Sequence, residues 1–60
     1  MTDKKPPKGA ALRAWCESNG VTPELVAEVL EVSTRTAYRI VNGERDVSRV
    51  EFAALQDAVR

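Results

Sequence analysis

Apolar residues recur along this chain at helical spacing in four separate stretches, each bounded by residues that start or stop a helix. Between positions 10 and 18, Leu12, Trp15 and Cys16 share one face at the i, i+3, i+4 interval, and Asn19-Gly20 supplies the stop. The second stretch has an explicit beginning. Thr22 can cap free amides, Pro23 suits the first helical position, and Val21 and Val26 are spaced as a hydrophobic staple. Val26, Val29 and Leu30 then form a stripe, and Ala27 is small enough to let a crossing helix approach.

A break at Glu31-Val32-Ser33 follows, in which Val32 can plug the corner and Ser33 can cap a third helix from Thr34. Along that helix Ala37, Ile40 and Val41 point inward, leaving Thr34, Arg35, Tyr38 and Arg39 outward. Asn42-Gly43 ends it, because glycine enters a left-handed C-terminal conformation at least cost. The fourth helix opens on a Ser48–Glu51 capping box with a Val47–Phe52 staple, and its apolar residues are Val50, Phe52, Ala53, Leu55 and Val59. Phe52 and Leu55 should close the core over the first three helices. Val50 and Val59 exceed what one small core needs, so an exposed remainder would suit a dimer contact. The pattern predicts an all-α, compact four-helix domain over residues 10–60, preceded by a flexible basic tail over residues 1–9.

Sixty residues leave room for one small core and no large cleft. Hydrophobic residues at 43% and charged residues at 30% fit an ordinary globular chain, and no apolar run approaches the roughly 20 residues a bilayer span needs. One cysteine and no histidine exclude an internal disulfide and remove most zinc ligands. Cys16 reads as a small core residue rather than a reactive thiol. No metal constellation, glycine-rich phosphate loop or nucleophile–base pair is present, so neither an enzyme nor a cofactor is expected. Trp15 is expected to anchor the core, and as the sole tryptophan it should report folding by fluorescence.

The formal net charge is zero, which weighs against a nucleic-acid partner until its distribution is followed. Lys4, Lys5, Lys8 and Arg13 outweigh Asp3 and Glu17 in the first third, whereas residues 21–32 carry only Glu24, Glu28 and Glu31. Arg35, Arg39, Arg45 and Arg49 then outweigh Glu44 and Asp46, so positive charge returns on the third helix and the loop after it. Two readings of the tail stand: a solvated leader, or a basic arm that touches phosphates or enters a minor groove.

Two short helices joined by a tight break, the second bearing exposed arginines, have the layout of a helix-turn-helix. Val21-Thr22-Pro23-Glu24, Val26-Ala27-Glu28, Leu30, Val32-Ser33, Thr36, Arg39-Ile40 and Asn42-Gly43-Glu44-Arg45 together resemble the Cro and phage-repressor family, often called the XRE family. The resemblance covers roughly residues 11–59 and implies a lambda-repressor-like fold with the third helix in the major groove. It further implies base reading by Thr34, Arg35, Tyr38 and Arg39, and phosphate contact by Ser33 and Asn42. Arginine's planar fork matches guanine O6 and N7, and a threonine methyl or tyrosine ring can pack on a thymine methyl. Arg45 and Arg49 are better placed for the DNA backbone, and Thr22 is a further phosphate candidate. The competing reading of each arginine is a solvated surface charge.

The sequence departs from the family pattern in three respects, one of them that Glu24, Glu28, Glu31, Glu44 and Asp46 lie near the expected DNA side or its flanks. Pro23 stands where glutamine often meets a phosphate, so that anchor is missing or replaced by Thr22 or a backbone amide. Glu31 stands where the turn commonly has glycine, and positive φ costs a non-glycine residue roughly 1 kcal/mol.

The expectation is therefore a sequence-specific DNA-binding transcriptional regulator, a Cro-like repressor on a palindromic operator. It would be a homodimer at least on DNA, cytoplasmic and nucleoid-associated in a bacterial cell, with no membrane or small-molecule partner. The alternative is a protein-interaction module of the same fold, antirepressor- or antitoxin-like, using the acidic second helix and the apolar fourth.

Overall fold

Local hydrogen bonds set where each helix begins. In the computed structural model, which describes residues 5–60, the helices among them are α1 (Ala10–Ser18), α2 (Pro23–Leu30), α3 (Thr34–Val41) and α4 (Arg49–Ala58). The Thr22 hydroxyl accepts the Leu25 N–H at 3.1 Å, with Pro23 at the first position of α2. Ser33 accepts the Thr36 N–H at 3.2 Å to start α3. At α4 the box is complete: Ser48 Oγ accepts the Glu51 N–H at 3.1 Å while Glu51 Oε1 accepts the Ser48 N–H at 2.8 Å. Helix α1 differs, because its cap is Gly9 and no side chain closes that end.

The stops follow equally local chemistry. Asn19 folds its side-chain amide back onto the Trp15 carbonyl at 2.8 Å. After α3, Glu44 N–H reaches Arg39 O at 2.8 Å and Gly43 N–H reaches Ile40 O at 3.0 Å, a Schellman closure that requires left-handed backbone at Gly43, where φ is +78°. Glycine is needed there twice over, since a Cβ would collide with the Gly9 carbonyl at the start of α1. Helix α2 closes without glycine: Glu31 itself is left-handed, with φ 56° and ψ 45°. The turn therefore takes the geometry expected of a glycine position with the wrong residue in it.

Helix α2 packs against α3 and α4, and α1 packs against α3. The fully buried set is Leu12, Cys16, Val21, Val26, Ala37, Ile40, Val47 and Leu55, so every helix contributes and both staple valines, Val21 and Val47, are swallowed with it. The core is narrower than the apolar pattern predicts. Val29, Leu30, Val41 and Val59 are half-buried around it. Phe52 is also half-buried; it meets the edge of Trp15, with ring centroids 4.7 Å apart, in place of closing over the centre. Trp15 is correspondingly a flank residue and not a central anchor. Among the apolar residues of α4, Val50 is 79% exposed and Ala53 is exposed.

Cys16 is free and buried; burial pushes its thiol up, and neighbouring Glu17 pushes it further. It stays protonated and behaves as a small hydrophobe. Of the tail expected over residues 1–9, positions 1–4, including Lys4, lie outside the described residues. Over 5–9, Pro6, Pro7 and Gly9 are half-buried while Lys5 and Lys8 are exposed.

Candidate nucleic-acid interface

Helix α3 segregates its side chains more sharply than its neighbours. Ala37 and Ile40 are fully buried, and this fixes the helix's rotation about its axis. Thr34, Arg35, Tyr38 and Arg39 are consequently all exposed on the opposite side, Tyr38 at 49%, which is high for an aromatic ring. The i, i+1, i+4, i+5 interval gathers the four into one patch two turns long. The sequence-expected readers are thus neighbours on a rigid element.

The residues expected at phosphates flank this patch but differ in how free their polar groups are. Ser33 is exposed at the start of α3, yet its hydroxyl is engaged twice, accepting from Thr36 N–H and donating to Thr36 Oγ1 at 3.1 Å. Thr36 belongs to the family pattern but is not among the residues expected at phosphates. Its own hydroxyl donates to nothing among the described residues and sits half-buried beside Ser33, so Thr36 keeps a hydrogen-bond donor while the Ser33 donor is already used on Thr36 Oγ1. Asn42 is exposed at the other end of α3. Thr22 is exposed at the start of α2, and capping uses only its acceptor capacity, leaving a donor.

The arginines also fall into two groups. Among the described residues Arg35 makes no ion pair, whereas Arg39 Nε lies 4.0 Å from Glu44 Oε1 across the end of α3. Both partners are more than half exposed, so the contact is loose. Arg45 is half-buried: its Nη1 is 3.9 Å from Glu51 Oε2, the same carboxylate that caps α4, and 3.5 Å from the Asp46 carbonyl. That guanidinium holds the loop to α4. Arg49 is exposed at the first residue of α4. These pairings were hidden in the sequence because Glu44 and Arg45 lie in the loop between α3 and α4, where no fixed residue interval predicts proximity.

The neighbouring helix presents the opposite field. Glu24, Glu28 and Glu31 are all exposed, and none makes an ion pair among the described residues. A DNA strand passing α2 would meet negative charge not neutralised by any ion pair among the described residues, which at low salt tempers the attraction of the arginine side.

Two helices of equal length joined by a three-residue break, the second rotated so that its polar face is outward, define a helix-turn-helix DNA-binding domain of the regulator type. The chain belongs to the helix-turn-helix domain family, whose pattern matches residues 9–60. No curated protein and no solved structure matches it. Among the described residues no helix is long and apolar enough to cross a membrane.

Proposed function

We propose that this domain is a sequence-specific transcriptional regulator of the Cro kind, repressing by occupying a palindromic operator as a homodimer. The observation that carries the reading is the exposed patch Thr34, Arg35, Tyr38 and Arg39 on a helix whose rotation is locked by buried Ala37 and Ile40. Arg35 and Arg39 offer bidentate donors to guanine, while Thr34 and Tyr38 offer apolar surface to thymine methyls. Thr22, Ser33 through Thr36, Asn42 and Arg49 contact phosphates and set the register, and Arg45 contributes while bracing the loop. Two copies are required because one module of this size covers a single half-site and buries little surface.

Selection of bound duplexes from a random DNA pool, using the full chain, tests this directly. The expected product is a symmetric site with half-sites about 10 base pairs apart, or a multiple of that spacing. Absence of enrichment, together with unmoved α3 amide resonances on adding duplex DNA at low salt, would overturn it in favour of the protein-interaction alternative.

A further inference from the structure

On the α1–α4 side lies an open groove of about 580 Å³ to which α2 and α3 contribute no lining residue. Trp15 and Phe52, in edge contact, supply its aromatic surface. Helix α1 adds Ala11, Ala14 and Ser18, all exposed and all small, so a second helix could lie close against it. Lys5 stands in the lining alongside Pro7. A second hollow of about 470 Å³ shares Trp15 and Gln56 with the first and is bordered by Val59 and Arg60, so the two adjoin in one path, with Lys5 lining only the first and Arg60 only the second. Among the described residues neither lining includes an acidic side chain, although the chain as a whole is neutral.

We propose that this path is a docking groove for an amphipathic helix of another protein, one that presents aliphatic residues toward Trp15 and Phe52 and carboxylates at both of its ends. The fit is of the helix-in-groove kind, where spaced apolar anchors enter an aromatic-lined trough. Charge selects the occupant: Lys5 and Arg60 favour acidic ends, and the exposed Arg60–Asp57 pair at 3.9 Å is loose enough to exchange. The path is too open and extended to enclose most of a small molecule's surface. A second copy fits poorly, because a two-fold contact would set hollow against hollow and cation against cation. With the base-reading patch on α3, the domain would read DNA with one helix and hold a partner along α1 and α4, whose groove lining includes none of the residues assigned to DNA. The groove proposal rests on α1 and α4 and does not depend on the operator reading.

The experiment titrates the isotopically labelled full chain with two synthetic helical peptides of about 14 residues, close to four turns. Both have leucines at i, i+3, i+4 and i+7; one ends in glutamates and the other in lysines. The glutamate peptide is expected to shift the amides of residues 11–18 and 52–59, to move Trp15 emission to shorter wavelength, and to leave α3 amides in place. It should bind roughly three- to tenfold more tightly than the lysine peptide, the margin that two exposed ion pairs, at Lys5 and Arg60, supply. Ala14→Glu, at an exposed helical position, should weaken the glutamate peptide by about tenfold through bulk and like charge while leaving the thermal midpoint and DNA affinity unchanged. The proposal is overturned by absence of groove shifts with either peptide, by equal binding of the two, or by undiminished binding to the Ala14→Glu variant. Groove shifts that appear on concentrating the protein without peptide would overturn it too, assigning the surface to a second copy.

Discussion

Helices α2 and α3 are each eight residues long, each is capped by a hydroxyl at its start, and they pack against one another, yet they present opposite faces to a ligand. Helix α2 is largely apolar, with Val26 at the centre and Leu25, Ala27, Val29 and Leu30 half-buried around it, and its exposed side carries only carboxylates as charged groups. Helix α3 buries just Ala37 and Ile40 completely and exposes two arginines, a tyrosine and a threonine. The difference shows that capping and packing fix where a helix lies, while function is decided by what remains on the side that packing does not use. Each helix packs against two others, α2 against α3 and α4 and α3 against α2 and α1, so the number of partners does not separate them; the residues left on the uncovered face do.

The strongest way to break this contrast is to remove its pivot. Ile40→Ala should cost about 2 to 5 kcal/mol, through lost transfer energy and the cavity left behind. A domain of this size is stable by only about 3 to 9 kcal/mol, so urea denaturation should show a sharply lowered midpoint, with the variant unfolded in water if the parent stability lies at the low end of that range. Leu30→Ala on the half-buried rim of α2 should cost less, about 1 to 2 kcal/mol. Equal losses would mean that α2 is anchored as deeply as α3 and that the rotation of α3 is not set by Ile40 alone.

Arg39→Ala and Arg35→Ala sharpen the contrast from the other side. Each should lower operator affinity by about 1 to 3 kcal/mol and relax the base preference at one position, with the thermal midpoint unmoved. Arg39 gives up only a loose, exposed contact with Glu44, so stability has little to lose. Unchanged affinity in a quantitative gel-shift assay removes the residue from the interface.

Most of this frame was legible in the sequence because its signals are local. Thr22-Pro23, Ser33, the Ser48–Glu51 box and Asn42-Gly43 each act within one turn, and the structure places the four helices where those residues put them. The i, i+3 interval of Ala37 and Ile40 was enough to assign the outward face of α3. Depth of burial was not legible. Periodicity ranks Val59, Phe52 and Trp15 with Leu12 and Leu55, but a core this small fills before every apolar residue is enclosed, and only three-dimensional packing decides which remain at the edge. The bonds of Ser33 to Thr36, of Arg39 to Glu44 and of Arg45 to Glu51 escaped for the related reason that side-chain choice among several possible partners depends on geometry.

The junction between the two helices offers a smaller test. Glu31 holds left-handed backbone, and Glu31→Gly should relieve part of that strain while adding freedom to the unfolded chain. The net gain should be no more than about 0.6 kcal/mol, seen as a slightly higher thermal midpoint. A loss of stability would mean that the Glu31 side chain contributes more than its backbone costs.

The smallest expected effect probes whether α2 is silent toward DNA or opposes it. Glu28 lies in the last turn of α2, exposed, with no ion pair among the described residues, and its charge is not favoured by the helix dipole there. Glu28→Gln should therefore leave stability unchanged or slightly raised, unlike Glu24→Gln, which removes a favourable first-turn charge. If α2 acts only through its field, Glu28→Gln should raise affinity for operator and random duplex alike by about two- to threefold at low salt, and the gain should vanish as added salt shortens the screening length below about 10 Å. No gain at low salt would show that the phosphates pass beyond reach of this carboxylate. A change confined to the operator would place Glu28 in direct contact with a base or its neighbouring phosphate, and the division between a supporting helix and a reading helix would no longer hold.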